Sequence, residues 1–138
     1  MSFDLERFVN AQQNTYDRAL NELIAGRKQS HWMWFIFPQI RGLGRSETAR
    51  FYAISGHPEA EAYLAHPVLG SRLEDCTRAM LSNPDLSAHD ILGSPDDLKF
   101  HSSMTLFSEI AGQNLLFRGA LELFYNGAQD RQTLGILS

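Results

Sequence analysis

Apolar residues recur at intervals of three and four along most of the chain, the spacing of a helical face and not of a strand. From Asp4 onward Leu5, Phe8 and Ala11, then Tyr16, Ala19, Leu20 and Leu23, lie on one face of a helix or of two abutting helices, and Gly26 is a natural stop. Ser30 is placed to cap a short helix through Phe37 that Pro38 ends, and a further helix is expected to begin near Ser46. Pro58 starts a short helix through Tyr63 and Leu64. Pro67, with His66 in the capping position, starts a longer one whose face reads Leu69, Leu73, Cys76 and Met80, and Asn83 with Pro84 ends it. Ser87 caps a single turn through Ile91. Ser94 followed by Pro95, Asp96 and Asp97 marks another start, with acids set against the positive end of the helix dipole; that helix runs to about Ala111 and buries Phe100, Met104 and Phe107. A helix from about Asn114 to Tyr125 presents Leu115, Leu116, Ala120, Leu121 and Phe124, and Gly127 closes it. Strict alternation with β-branched residues is sustained nowhere, because the chain is rich in Leu, Ala and Phe and short of Val, Ile and Thr. The pattern predicts an all-α fold, a compact single-domain bundle of about six to eight helices, several of them short, over residues 1–138.

Composition supports a packed globule. A chain of 138 residues has room for one domain and a real core, and 43% hydrophobic with 11% aromatic residues is too apolar for a disordered polypeptide. Cys76 is the only cysteine, so no internal disulfide and no cysteine-based zinc cluster is available, which fits a reducing, cytoplasmic setting. The start, MSFDLERFVNAQQ, lacks the basic and apolar regions of a signal peptide, and the longest apolar run, Trp32 to Phe37, is far short of the roughly 20 residues of a membrane helix. No membrane partner is expected.

Charge changes the picture locally. The formal net charge is −4, yet residues 27–50 hold Arg27, Lys28, Arg41, Arg45 and Arg50 against the single acid Glu47. The same stretch, from Arg27 to Ser46, carries both tryptophans and the Gly-Leu-Gly turn, which makes it the favoured place for a ligand.

The motifs SHWMWFIFPQIRGLGRS, AYLAHPVLGSRL and GSPDDLKFHSSMTLF, in this order, resemble the bacterial domain-of-unknown-function family 1810, which often carries the label calpastatin. The likeness runs from RFVNAQ at Arg7 to the TLGIL near the C-terminus. It implies a compact, mainly α-helical single domain and no established activity. The family pattern usually has arginine or another residue where His101 stands, so the resemblance lends it no catalytic role. Animal calpain inhibitors of that name are disordered chains, whereas this composition requires a packed one, so the label says little about mechanism.

The residues themselves point to an anion. The glycines of the turn Gln39–Gly44 let backbone N–H groups approach a ligand, and a helix starting near Ser46 would aim its free N–H groups at the same place. Arg27, Lys28 and Arg45 add charge, and Trp32 offers a stacking face. No GxGxxG follows a strand and no GK[ST] ends the turn, so this is neither a dinucleotide fingerprint nor a phosphate-binding P-loop. His31, beside the aromatic run and two cations, is the candidate general base if a reaction occurs. His66 is a candidate contact or simply a helix cap. Lys99 and Ser102, one turn apart on the helix from Pro95, offer an amine and a hydroxyl; a Ser–Lys dyad there is chemically conceivable. No HExxH, His-x-His or carboxylate cluster at ligand spacing occurs, so neither a metal nor a cofactor is implied.

The leading expectation is a helical domain that binds a nucleotide or phosphorylated metabolite, and acts on it if His31 is catalytic, through Arg27, Lys28, Trp32, Gln39, Gly42, Gly44, Arg45, Ser46, His66, Lys99 and Ser102. The alternative is a protein-interaction or regulatory module, which exposed Trp32 and Trp34 would favour. Single-stranded nucleic acid is disfavoured by a pI near 5.7. For the tryptophans the competing role is ordinary core packing, and for the cations a solvated face.

Overall fold

The computed structural model describes residues 3–138. Among them ten α-helices follow one another: α1 (Glu6–Gln12), α2 (Tyr16–Ala25), α3 (Met33–Ile36), α4 (Glu47–Phe51), α5 (His57–Ala65), α6 (Leu69–Leu81), α7 (Ala88–Leu92), α8 (Asp96–Ile110), α9 (Leu116–Tyr125) and α10 (Arg131–Leu137). The all-α class is as the periodicity predicts; the count exceeds six to eight. One helix beyond eight comes from the turn at residues 13–15, which resolves the first apolar face into α1 and α2, the two-helix reading of that face. Another is α10, whose sparse apolar positions gave no sustained face.

The long helix α8 runs through the middle. It packs against α5, α7, α9 and α10, and every residue from Ser102 to Phe107 is buried. Such a helix is covered nearly all round, so its polar members Ser102, Ser103 and Thr105 lie inside with the apolar ones. Phe37 from the end of α3 meets Phe100 edge to face with ring centroids 4.8 Å apart, and Phe8 of α1 meets Tyr63 of α5 in the same way at 5.0 Å. The apolar run Trp32–Phe37 thus belongs to the core: Trp32, Met33, Ile36 and Phe37 are all buried.

Local starts and stops have identifiable causes. Gly26 ends α2 in the left-handed conformation, with φ of 76°. Ser87 and Asp90 form a reciprocal capping box on α7. Ser30 does not cap α3; Trp32 occupies that position, while the Ser30 hydroxyl donates to Glu22 at 2.7 Å. A buried ion pair, Arg7 with Glu59 at 3.0 Å, ties α1 to α5, and Arg7 also donates to the carbonyls of Phe51 and Ala53.

A single parallel bridge among the described residues closes the loop that follows α3. Ile54 N–H donates to the Gln39 carbonyl and Arg41 N–H to the Ile54 carbonyl, both at 2.8 Å, with Ile40 and Ile54 buried. The fifteen-residue stretch 40–54, α4 included, is therefore a loop whose ends are clamped together.

Candidate functional site

Clamping the loop gathers cations that are spread along the sequence. Arg41, Arg45 and Arg50 line one open hollow of about 490 Å³ with Gly42 and Gly44. None of the three takes part in an ion pair among the described residues, whereas Arg7, Lys28, Arg78 and Lys99 all do. Gly42 has φ of 107°, a conformation that side chains rarely adopt, and a Cβ on Gly44 would come within 2.5 Å of the Ala49 Cβ. The turn can therefore lie flat against α4 only with glycine at both places.

A second hollow, of about 240 Å³, lies between the loop and α8. It shares Gly44 with the first, and Gln39, Lys99, His101, Ser102, Asp130 and Gln132 contribute to it. Four residues singled out from the sequence, Gln39, Gly44, Lys99 and Ser102, do meet here although they come from both halves of the chain. His101, Asp130 and Gln132 were missed. Only the aspartate carried a legible signal, being followed by an Arg-Gln-Thr that suits a helix start.

The polar groups of this second hollow are held in place. The Asp130 Oδ2 atom accepts hydrogen bonds from Thr133 N–H at 3.1 Å, from the Thr133 hydroxyl at 2.6 Å and from the Ser102 hydroxyl at 3.3 Å. Ser102 also approaches the Leu98 carbonyl at 3.1 Å, so its single proton is committed and it faces a ligand as an acceptor only. His101 stacks on Tyr125 with ring centroids 4.0 Å apart, and its Nε2 lies 2.7 Å from the Ala128 carbonyl. A carbonyl oxygen only accepts, so Nε2 is the donor of this contact. The Lys99 ammonium lies 3.5 Å from Asp96 and 5.0 Å from the Trp34 ring centre.

Other candidates are placed elsewhere. Trp32 is fully buried and its indole N–H donates to Glu22 at 2.9 Å, so it has no face to offer a ligand; its role is in the core. Lys28 is removed from the site by its 3.0 Å pair with Asp96, a contact in which only 9% of the lysine side chain is exposed. His66 caps α6: its Nδ1 accepts from the Val68 and Leu69 N–H groups, at 3.1 and 3.2 Å. Ser46 caps α4 by accepting from Ala49 N–H, and Glu47 occupies the first turn, so the start of this five-residue helix is filled by its own side chains and is not open to an anion. Arg27 and His31 are exposed but line neither hollow, which separates His31 from the groups it was expected to assist.

A concavity of about 460 Å³ elsewhere is lined by Glu61, Glu74, Leu64 and Asn114 and contains no cation. No helix among the described residues is long and apolar enough to cross a membrane.

No curated protein matches the chain. Among solved structures, the conserved hypothetical protein Rv1873 from Mycobacterium tuberculosis is similar, with 50% sequence identity and a TM-score of 0.96 over 98% of this chain and 96% of that one. Neither comparison carries the calpastatin label. The model of the family described as "Protein of unknown function (DUF1810)" matches residues 2–137, and the chain is a member of that family.

Proposed function

We propose that the protein binds a phosphorylated small molecule at the 40–54 loop. The observation that carries this reading is the hollow in which Arg41, Arg45 and Arg50 converge on a glycine turn with no acid paired to any of them. Three unneutralised guanidinium groups beside accessible backbone suit a phosphate, which each can meet through a pair of N–H donors. Lys99 adds a fourth cation at the neighbouring hollow. The helix-terminus contribution anticipated from the sequence plays no part, since Ser46 and Glu47 fill it. The fully buried Trp32 likewise weakens the competing view of an exposed aromatic docking patch. A cytoplasmic location belongs to the same reading: burial pushes the single thiol, Cys76, up to about 12, which suits a reduced and unreactive cysteine.

The test is a thermal-shift panel of inorganic phosphate, sulfate, nucleotides and sugar phosphates on the full chain. A ligand at a hundredfold excess over its Kd should stabilise the fold by about 2.7 kcal/mol. Arg45→Ala should abolish the shift while leaving the unliganded melting temperature unchanged. Flat responses across the panel, or shifts that survive Arg45→Ala together with Arg41→Ala, would overturn the proposal.

A further inference from the structure

Resting on that reading, we infer that the ligand is a phosphorylated sugar, its phosphate held by the arginines and its hydroxyl groups by Asp130 in the hollow against α8. The two hollows meet at Gly44, so one molecule can reach both. Their chemistry differs. Three cations with no acid paired to them line one, whereas in the other the Lys99 ammonium already sits 3.5 Å from Asp96 and the Asp130 carboxylate disfavours a second anionic group. A ligand spanning them is anionic at one end and neutral but hydrogen-bonding at the other.

The Asp130 carboxylate is built for that neutral end. The Thr133 N–H and hydroxyl hold Oδ2 and fix the group's orientation, with the Ser102 hydroxyl, shared with the Leu98 carbonyl, beside it, while Oδ1 takes part in no hydrogen bond among the described residues. A fixed carboxylate oxygen with free lone pairs accepts from hydroxyl groups. The side-chain amides of Gln39 and Gln132, also in no hydrogen bond among the described residues, add a donor and an acceptor each, and Pro95 and Leu98 supply apolar wall. This array suits a polyhydroxylated carbon skeleton better than a planar apolar ring.

Ribose 5-phosphate, 2-deoxyribose 5-phosphate and inorganic phosphate, titrated calorimetrically into the full chain, test the assignment. Ribose 5-phosphate should bind about tenfold or more tightly than inorganic phosphate, the gain of roughly one charge-assisted hydrogen bond. The deoxy sugar should fall between them. Asp130→Asn keeps an oxygen for Thr133 but turns an N–H₂ group toward the hollow; it should remove most of the sugar preference and leave the phosphate affinity alone. Equal affinity of the native protein for ribose 5-phosphate and inorganic phosphate overturns the sugar site whatever the variants do. In that case phosphate binding that is lost in Arg45→Ala leaves the anion reading standing. Failure of all three to bind overturns both.

Discussion

Four donors converge on the Glu22 carboxylate: the backbone N–H groups of Gln29 and Ser30, the Ser30 hydroxyl and the Trp32 indole, at 2.7 to 3.0 Å. Burial alone would push this carboxyl up, but the hydrogen bonds outweigh it and hold it at about 2, against an ordinary value of 4.5. The acid shapes the connection between α2 and α3 and so seats Trp32. Glu22→Gln replaces half of the acceptor with a donor facing donors, and is expected to cost about 1–3 kcal/mol in urea denaturation at neutral pH. Because the folded-state value lies below the unfolded one, the stabilisation is complete above pH 4.5 and is lost as pH falls from there toward 2. The gap between native protein and variant should therefore close across that window; a gap that stays constant would show that the charge is irrelevant. Sequence periodicity sees that Trp32 lies in an apolar run, but both stacking and packing fit that fact. What decides between them is an acid ten positions earlier, brought close only by the turn after Gly26.

At the scale of elements, α6 contains an instructive glycine. In an ordinary helix Gly→Ala stabilises by up to about 1 kcal/mol. At Gly70, in the first turn of α6, a Cβ would lie 2.1 Å from the Leu64 carbonyl oxygen at the end of α5, a backbone atom that cannot swing away. Gly70→Ala is therefore expected to destabilise by about 1–3 kcal/mol, opposite in sign to its helix propensity; a rise in melting temperature would contradict the packing of α5 on α6. The apolar face of α6 is legible in the sequence, as are the proline-marked start of α5 and the Ser87 cap of α7. Its close approach to α5 is not, since periodicity says which face is buried and not how near the neighbour comes. The helix α10 illustrates the converse. Its sequence, RQTLGIL, has a glycine in the middle and little periodic signal, yet Asp130 caps it and Thr133 is fully buried against the body. Asp130→Ala should cost about 1–2 kcal/mol and speed amide exchange in residues 131–137, whereas Asp130→Asn should do neither.

For the whole molecule, charge is the property most visible in the sequence and most rearranged by folding. The segment 27–50 looks like one basic block. The fold divides it, sending Lys28 to Asp96 of α8 and drawing Arg41, Arg45 and Arg50 into one hollow by the Ile40–Ile54 bridge. A count along the chain cannot make that division, because the acid that neutralises Lys28 lies nearly seventy positions away. The result is a cationic loop on a molecule whose remaining charge is negative, so the proposed anion binding is expected to be both local and sensitive to salt. Screening lengths shrink from about 10 Å at 0.1 M to about 3 Å at 1 M, so an anion held by exposed guanidinium groups loses affinity across that range. Titrations of inorganic phosphate at several chloride concentrations should show this fall, with a shallower slope in Arg50→Ala, which removes one of the three charges. The unfolding midpoint should be far less salt-dependent, because the ion pair that joins α1 to α5 is shielded from solvent, with 10% and 4% of its side chains exposed. Phosphate affinity that is indifferent to chloride would mean that the three arginines do not act together, even if each touches the ligand.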